Sequence, residues 1–331
     1  MINISKALTI AIIDNHYNKL CKKSPLKRLR NYFDELLFNR SLTSKQYLAI
    51  NYLKNHTLHP KKSILINNIE YLNEFKINYE KNFGCLLNEK IQHKGKEILL
   101  RKYLEEHVFY YKDYNRWDAY DLAQSLNINV CPYCNRIPTY TIGTSHKKGV
   151  RPQFDHFFDK ARYPYLSLSI YNLIPCCSIC NSSYKGTTPF NLIDHYHPYQ
   201  KGFDCNNIKF TLLIKDIDDF LSTMSAKLDI PEYEIAFITS SNITMPKNIK
   251  DFGLIELYNY DKNYTNELIK KSFIYDNTYI ENLYSDYEGT LFSSKEEIKN
   301  LVIGNYLNIT DINNRPLGKL TKDIVEELGI F

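Results

Sequence analysis

A chain of 331 residues, 44% hydrophobic and 24% charged, has the composition of a folded protein with room for one large core or two modest ones. Its net charge of +5 is mildly basic, which suits contact with nucleic acid without demanding it. Eight cysteines are too few for a disulfide-built secreted scaffold, no run reaches the ~18 apolar residues of a membrane span, and the opening apolar run breaks at Asp14, so the chain reads as cytoplasmic, with reduced thiols and no membrane contact.

The amino-terminal third has helical periodicity. Ser24 and Pro25 form an N-cap and first-turn pair ahead of Leu26, Leu29, Phe33, Leu36 and Leu37. Lys22, Lys23, Lys27, Arg28 and Arg30 cluster on the first turns of that helix, as a solvated face or a backbone contact for nucleic acid. Thr43 and Gln46 have the spacing of a capping box before a second helix through Leu48 and Tyr52. Further helices are expected over 63–80, 96–107 and 116–126, the last leading into a strand-like Asn-Ile-Asn-Val.

The middle of the chain carries the chemistry. Cys131 and Cys134 form one CxxC pair, and Cys177 and Cys180 another. Two such turns supply four soft thiolates for one closed, structural Zn²⁺ site. Cys176 could replace Cys177 in a CxxxC spacing, but CxxC is the commoner knuckle. Cys21, Cys85 and Cys205 stand alone and read as inert core residues. The 42 residues between Cys134 and Cys177 hold Asp155 and His156, a hard oxygen donor beside an imidazole able to take a proton from water. Asn172 heads the segment leading to the second knuckle, and Asn181 follows its last cysteine. Arg162 and Lys185 flank this stretch as candidate phosphate contacts. His195 and His197 suit hydrogen-bonded loop positions better than a role beside a metal, and His146 sits in an exposed hairpin tip.

Beyond residue 207, Asn-Ile-Lys-Phe-Thr-Leu-Leu-Ile and Glu-Tyr-Glu-Ile-Ala-Phe-Ile-Thr alternate as two strands. Helical spacing returns over 263–284, after a Ser294/Glu297 capping box, and in a last helix stopped by Gly329. The reading is an α+β, mainly helical protein with a helical region 1–127, an inserted zinc-stabilised module 128–205, and a mixed, mainly helical region 206–331.

The stretch from Cys131 to about residue 200, with CPYC, QFDHFFDKARYPYLSLSIYNLIPCCSICNSSYKG and the order His156, Asn172, Asn181, resembles the zinc-stapled HNH endonucleases of the His-Me finger, or ββα-metal, class. The last position is Asn where His is the commoner residue. The resemblance implies a hairpin ending near Asp155 and His156, a loop through Asn172, and a short helix after Cys177. It implies His156 as general base, Asp155 and Asn181 as ligands of one catalytic Mg²⁺ or Mn²⁺, and Asn172 as the brace of the loop carrying His156. The expected activity is phosphodiester hydrolysis in nucleic acid, DNA before RNA, leaving 5′-phosphate and 3′-hydroxyl ends. The same run is similar to the HNH subunits of Septu-like bacterial anti-phage systems, which implies an ATPase partner. The chain has no GxxxxGK[ST] phosphate loop of its own.

Overall fold

The helices Ser44–Thr57, Ile69–Phe83 and Ala119–Leu126 start where a side chain caps them. In the computed structural model, which describes residues 1–21, 27–112, 118–144, 147–204, 207–218, 220, 230, 232–240, 243–260 and 262–330, Thr43 Oγ1 accepts from Gln46 N at 3.2 Å while the Gln46 side chain accepts from Thr43 N at 2.9 Å. The helix Ser44–Thr57 follows that reciprocal cap. Helix Lys27–Leu37 fills the segment expected after Ser24 and Pro25. Those two residues lie outside the described residues, as do Lys22 and Lys23, and Arg30 is exposed.

Two expectations shift. The helix placed over 63–80 runs instead over Ile69–Phe83, because Asn68 caps it by accepting from Tyr71 N at 3.0 Å. The segment 96–107 is not one helix: Lys90–His93 (β1) pairs antiparallel with Lys96–Leu99 (β2) across Lys94 and Gly95, both at positive φ, as a tight hairpin turn of this hand requires. Only Leu100–Tyr103 and its continuation Leu104–Val108 are helical there, and the last turn is widened so that Phe109 N donates to Leu104 O at 2.7 Å. Helix Ala119–Leu126 ends the segment.

The chain packs as two compact units, one of Ile4–Asn127 with Tyr140–Gln200, the other of Met1–Asn3 with Ile128–Thr139 and Lys201–Phe331. Residues 128–139 therefore fold with the carboxy-terminal segment, and residues 140–200 with the amino-terminal helices.

In the unit of 4–127 and 140–200, the hairpin Ile142–Thr144 (β3) and Lys147–Val150 (β4) precedes a second strand pair, Gln153–His156 (β5) with Leu173–Cys176 (β6), in the register Asp155↔Ile174 and His156↔Leu173. The turn of the first hairpin, with His146, is outside the described residues. The sixteen residues between β5 and β6, 157–172, are pinned to the amino-terminal segment by named contacts, with Ala161 and Arg162 left exposed. Tyr165 Oη donates to Glu80 at 2.9 Å, Ile170 N donates to Leu65 O at 2.8 Å, Ser167 Oγ donates to Phe109 O at 2.8 Å, and His16 Nε2 donates to Leu168 O at 2.8 Å. The aromatic rings of Phe75, Tyr79 and Tyr165 fill the space beneath, with Tyr79 and Tyr165 centroids 4.8 Å apart. The helical layer thus holds a long loop in one shape.

His16 also makes this unit acid-sensitive. Burial pushes its imidazole down to about 4 from an ordinary value of 6.5, so the unfolded chain binds its proton more readily than the folded one. Its contribution is complete above pH 6.5 and is lost as the pH falls toward 4. Between pH 7 and pH 5 the loss from His16 is expected to be about 2 kcal/mol. Urea unfolding at the two pH values checks this against His16→Gln, which keeps a donor for Leu168 O but does not titrate; equal losses in both proteins would remove His16 as the cause.

In the other unit, the two strands expected after residue 207 pair antiparallel as Lys209–Ile214 (β7) and Tyr233–Ile238 (β8), with Phe210, Leu212, Tyr233 and Ile235 buried on one face. Helix Gly318–Glu327 lays Leu320 and Ile324 into the same core, and Asp323 accepts from Phe210 N at 2.8 Å. The helix expected over 263–284 is two, Asn263–Ile274 and Asn277–Tyr287, because Asp276 caps the second by accepting from Tyr279 N at 2.8 Å. Ser294 caps Lys295–Ile303 as expected, but the Glu297 carboxylate turns to Ser293 N at 2.9 Å, so the box is half formed.

The described residues form an α+β structure, about half helical, with four separate two-stranded antiparallel sheets. No helix among them is long and apolar enough to cross a membrane.

Candidate functional site

Each CxxC is a closed turn. Around the first, Cys131 N donates to Ile137 O at 2.9 Å and Asn135 N to Cys131 O at 2.7 Å. Asn135 takes a positive φ of 51°, a left-handed position that asparagine tolerates. It is buried, and its side chain accepts from Lys319 N at 2.8 Å and donates to Ile312 O at 3.2 Å, tying the turn to the final helix. Around the second, Cys180 N donates to Cys177 Sγ at 3.4 Å and Asn181 N to Cys177 O at 3.0 Å.

Cys131, Cys134, Cys177 and Cys180 are all buried, and their sulfurs lie within 4.8 Å of one another, a group fit to hold one metal ion. Four thiolates without a carboxylate or imidazole are the soft donor set of closed, tetrahedral zinc. Cys176 lies outside the group, against the backbone of Asp155, so the CxxC spacing and not CxxxC is the one realised. Of the three isolated cysteines, Cys85 is exposed rather than a core residue, since it sits on the outer side of a short turn, Cys21 is half-buried, and Cys205 lies outside the described residues.

His156 is the last residue of β5 and is 5% exposed. Its Nε2 lies 3.0 Å from Ser167 O; a carbonyl only accepts, so Nε2 carries the proton and Nδ1 keeps its lone pair. Burial, then the charge of Lys160, hold the imidazole well below its ordinary value, so it is neutral near pH 7. The Tyr111 ring packs edge-on against it at 4.4 Å. Asn172 lies at the far end of the loop, where Oδ1 accepts from Phe158 N at 2.7 Å and Nδ2 donates to Phe158 O and Leu166 O, each at 3.0 Å. It clamps both ends of the segment that follows His156 and presents Ser167.

The strand pair differs from the expected hairpin in one respect. The strand carrying Asp155 and His156 pairs across the long loop with β6, so Asn172 stands immediately before the second strand. The helical turn Ile179–Lys185 then runs along β5. Asn181 Nδ2 donates to Gln153 Oε1 at 2.7 Å, and Lys185 Nζ donates to Asp155 Oδ1 at 2.8 Å and to His156 O at 2.7 Å. Asn181 and Lys185, four apart on this widened helical turn, meet Gln153 and Asp155, two apart on the strand, so both pairs form at once.

The side chain of Lys185, a candidate phosphate contact, is 3% exposed and paired with an equally buried Asp155. Arg162 is exposed, its guanidinium 5.4 Å from the Tyr163 ring centroid. Lys185→Met is expected to lower stability by about 3–5 kcal/mol, because it leaves a buried carboxylate without its cation. Urea unfolding of that variant and of Lys185→Met/Asp155→Asn checks the point: the double variant should recover most of the loss, and a single variant as stable as wild type would show that the pair does not form.

His195 stacks on Phe190 at 3.9 Å and His197 packs on Phe157 at 4.5 Å; both are buried, and their Nδ1 atoms accept from Asn191 N and Tyr199 N. Both sit in the loop role favoured from sequence. Ser167, Tyr111, Lys160 and Gln153 complete the surroundings of His156 and Asp155 without having been singled out in the sequence. Only Lys160, four residues after His156, carried a local signal.

For a hard divalent ion, the Asp155 carboxylate and the Asn181 amide oxygen have suitable chemistry and lie on the same side of β5. Asp155 Oδ1 is already engaged by Lys185, so such an ion competes with a resident ammonium. No family model, curated protein or solved structure matches the chain.

Proposed function

We propose that this chain is an HNH endonuclease of the His-Me finger class that hydrolyses phosphodiester bonds in nucleic acid, DNA before RNA. One observation carries the reading: a neutral, buried imidazole, His156, held at the end of a strand by the Ser167 carbonyl, within a strand–strand–helix unit whose helix leaves a cysteine knuckle.

With Nε2–H committed to Ser167, His156 Nδ1 is the atom that takes a proton from a water attacking phosphorus. Asn172 keeps the loop from drifting and so fixes the direction of that lone pair. Asp155 and Asn181 are the residues that would hold Mg²⁺ or Mn²⁺, which when bound neutralises charge developing on the leaving oxygen. With Asp155 so engaged, Lys185 would keep the His156 carbonyl that it already contacts. The four-cysteine zinc is structural, since a closed thiolate set offers no position to water. Products with 5′-phosphate and 3′-hydroxyl ends follow from water attack opposite the 3′ oxygen. The resemblance to Septu-like subunits supports a role in anti-phage defence, with ATP-driven control supplied by a partner ATPase.

The Lys185–Asp155 pair favours one other reading, a zinc-stabilised nucleic-acid-binding or scaffold subunit that does not cut. Incubation of the protein with supercoiled plasmid and with single-stranded DNA, in Mg²⁺ and in Mn²⁺, decides between them. Divalent-dependent cutting with 5′-phosphate ends supports the nuclease; binding without cutting in either metal supports the other reading.

A further inference from the structure

Beside His156 lies a cavity of about 300 Å³, at the lower end of the range of small-ligand sites. Its residues all belong to the unit of 4–127 and 140–200. Two of its walls are the two groups that support His156. Ser167 gives its carbonyl to the imidazole and its hydroxyl to Phe109 O, and Tyr111 packs edge-on against the imidazole ring. The rim divides by chemistry. Tyr110, 38% exposed, offers an aromatic face; Lys160 and Lys112 bring positive charge, with Lys160 Nζ 5.4 Å from the Tyr111 centroid; Glu105 and Glu106 form the acidic side. Both carboxylates line the cavity; Glu106 is also drawn to Lys102 Nζ at 3.7 Å, and Glu105 is the one assigned to the ligand.

We infer that this cavity receives one unpaired base of a single-stranded segment next to the scissile phosphate. The inference rests on the nuclease reading and adds its substrate class. An aromatic face takes the flat surface of a base, lysines take the phosphates on either side, and a carboxylate accepts from an exocyclic amino group. The acidic wall repels phosphate, so the nucleotide enters base first. Adenine and cytosine present an amino donor to Glu105 and thymine does not, so the cavity discriminates among bases as well as against duplex. A base seated there presses on Tyr111 and on the Ser167 loop, the two supports of the general base.

The test is binding of short dA, dC and dT homopolymers and of a duplex of the same length, measured by fluorescence anisotropy on the intact zinc-loaded protein without added Mg²⁺ or Mn²⁺, then cleavage of the same DNAs with them. Tyr110→Ala, at an exposed position, should weaken single-strand binding about 5- to 150-fold, the value of one stacked base, and leave duplex binding unchanged. Glu105→Gln should shrink the preference for dA and dC over dT. Equal binding of single strand and duplex by wild type, or a Tyr110→Ala protein that binds like wild type, overturns the inference. The two readings fail separately. Tyr110-dependent single-strand binding with no cutting keeps the cavity and removes the nuclease; cutting that ignores Tyr110→Ala keeps the nuclease and removes the cavity.

Discussion

Replacing His156 by alanine is expected, on the proposed nuclease reading, to slow DNA cleavage about 10²- to 10⁴-fold, the usual worth of a positioned general base. The imidazole is buried and hydrogen-bonded, so alanine also leaves the Ser167 carbonyl unsatisfied, and loss of activity alone would not separate chemistry from support. His156→Gln separates them. Its side-chain amide can still donate to Ser167 O, yet it cannot take a proton at neutral pH. Both variants should keep zinc and a cooperative melt, and both should be nearly inactive at saturating DNA while binding it as wild type does. Recovery of activity in His156→Gln would show that the histidine only holds the loop.

Loss of the metal should have the largest effect on the fold. Binding of Zn²⁺ to four thiolates contributes about 10–16 kcal/mol in small zinc domains, comparable to or larger than the whole stability of an ordinary domain, about 5–15 kcal/mol. Four buried cysteines within 4.8 Å of one another should therefore yield one zinc per chain by elemental analysis. Cys134→Ser and Cys177→Ser should lose that zinc and melt far below wild type, and chelation of the wild-type metal should do the same. Cys176→Ser is the control, since Cys176 lies outside the group, and should keep the full zinc content. A Cys134→Ser protein with one zinc and an unchanged melt would exclude the four-thiolate assignment.

Local chemistry was legible in the sequence wherever it was complete within a few residues. The Thr43–Gln46 box formed as its spacing required, and the choice of Cys177 over Cys176 followed from knuckle geometry. The strands after residue 207 alternated in plain view. What failed to show was local competition between signals and contacts distant in sequence. Gly95 turned a helix-like stretch into a hairpin, and Asp276 cut one long periodic segment into two capped helices. Burial of Lys185 depends on Asp155, thirty residues away, and Ser167 reads as an ordinary loop serine until Phe109 and His156 are placed on either side of it. Cys85 was read as core because isolated cysteines usually are, whereas its turn leaves it in solvent.

The paired contacts Gln153–Asn181 and Asp155–Lys185 act like two teeth of a rack meshed with two teeth of a pinion. A slip of one residue between β5 and its neighbours would turn Asp155 to the wrong side, and a slip of two would carry His156 about 6.6 Å from the carbonyl that orients it. No nearby register keeps half of the constellation. On the proposed nuclease reading, activity should therefore follow the fraction of molecules with this small unit fully meshed, and partial assembly should yield inert protein.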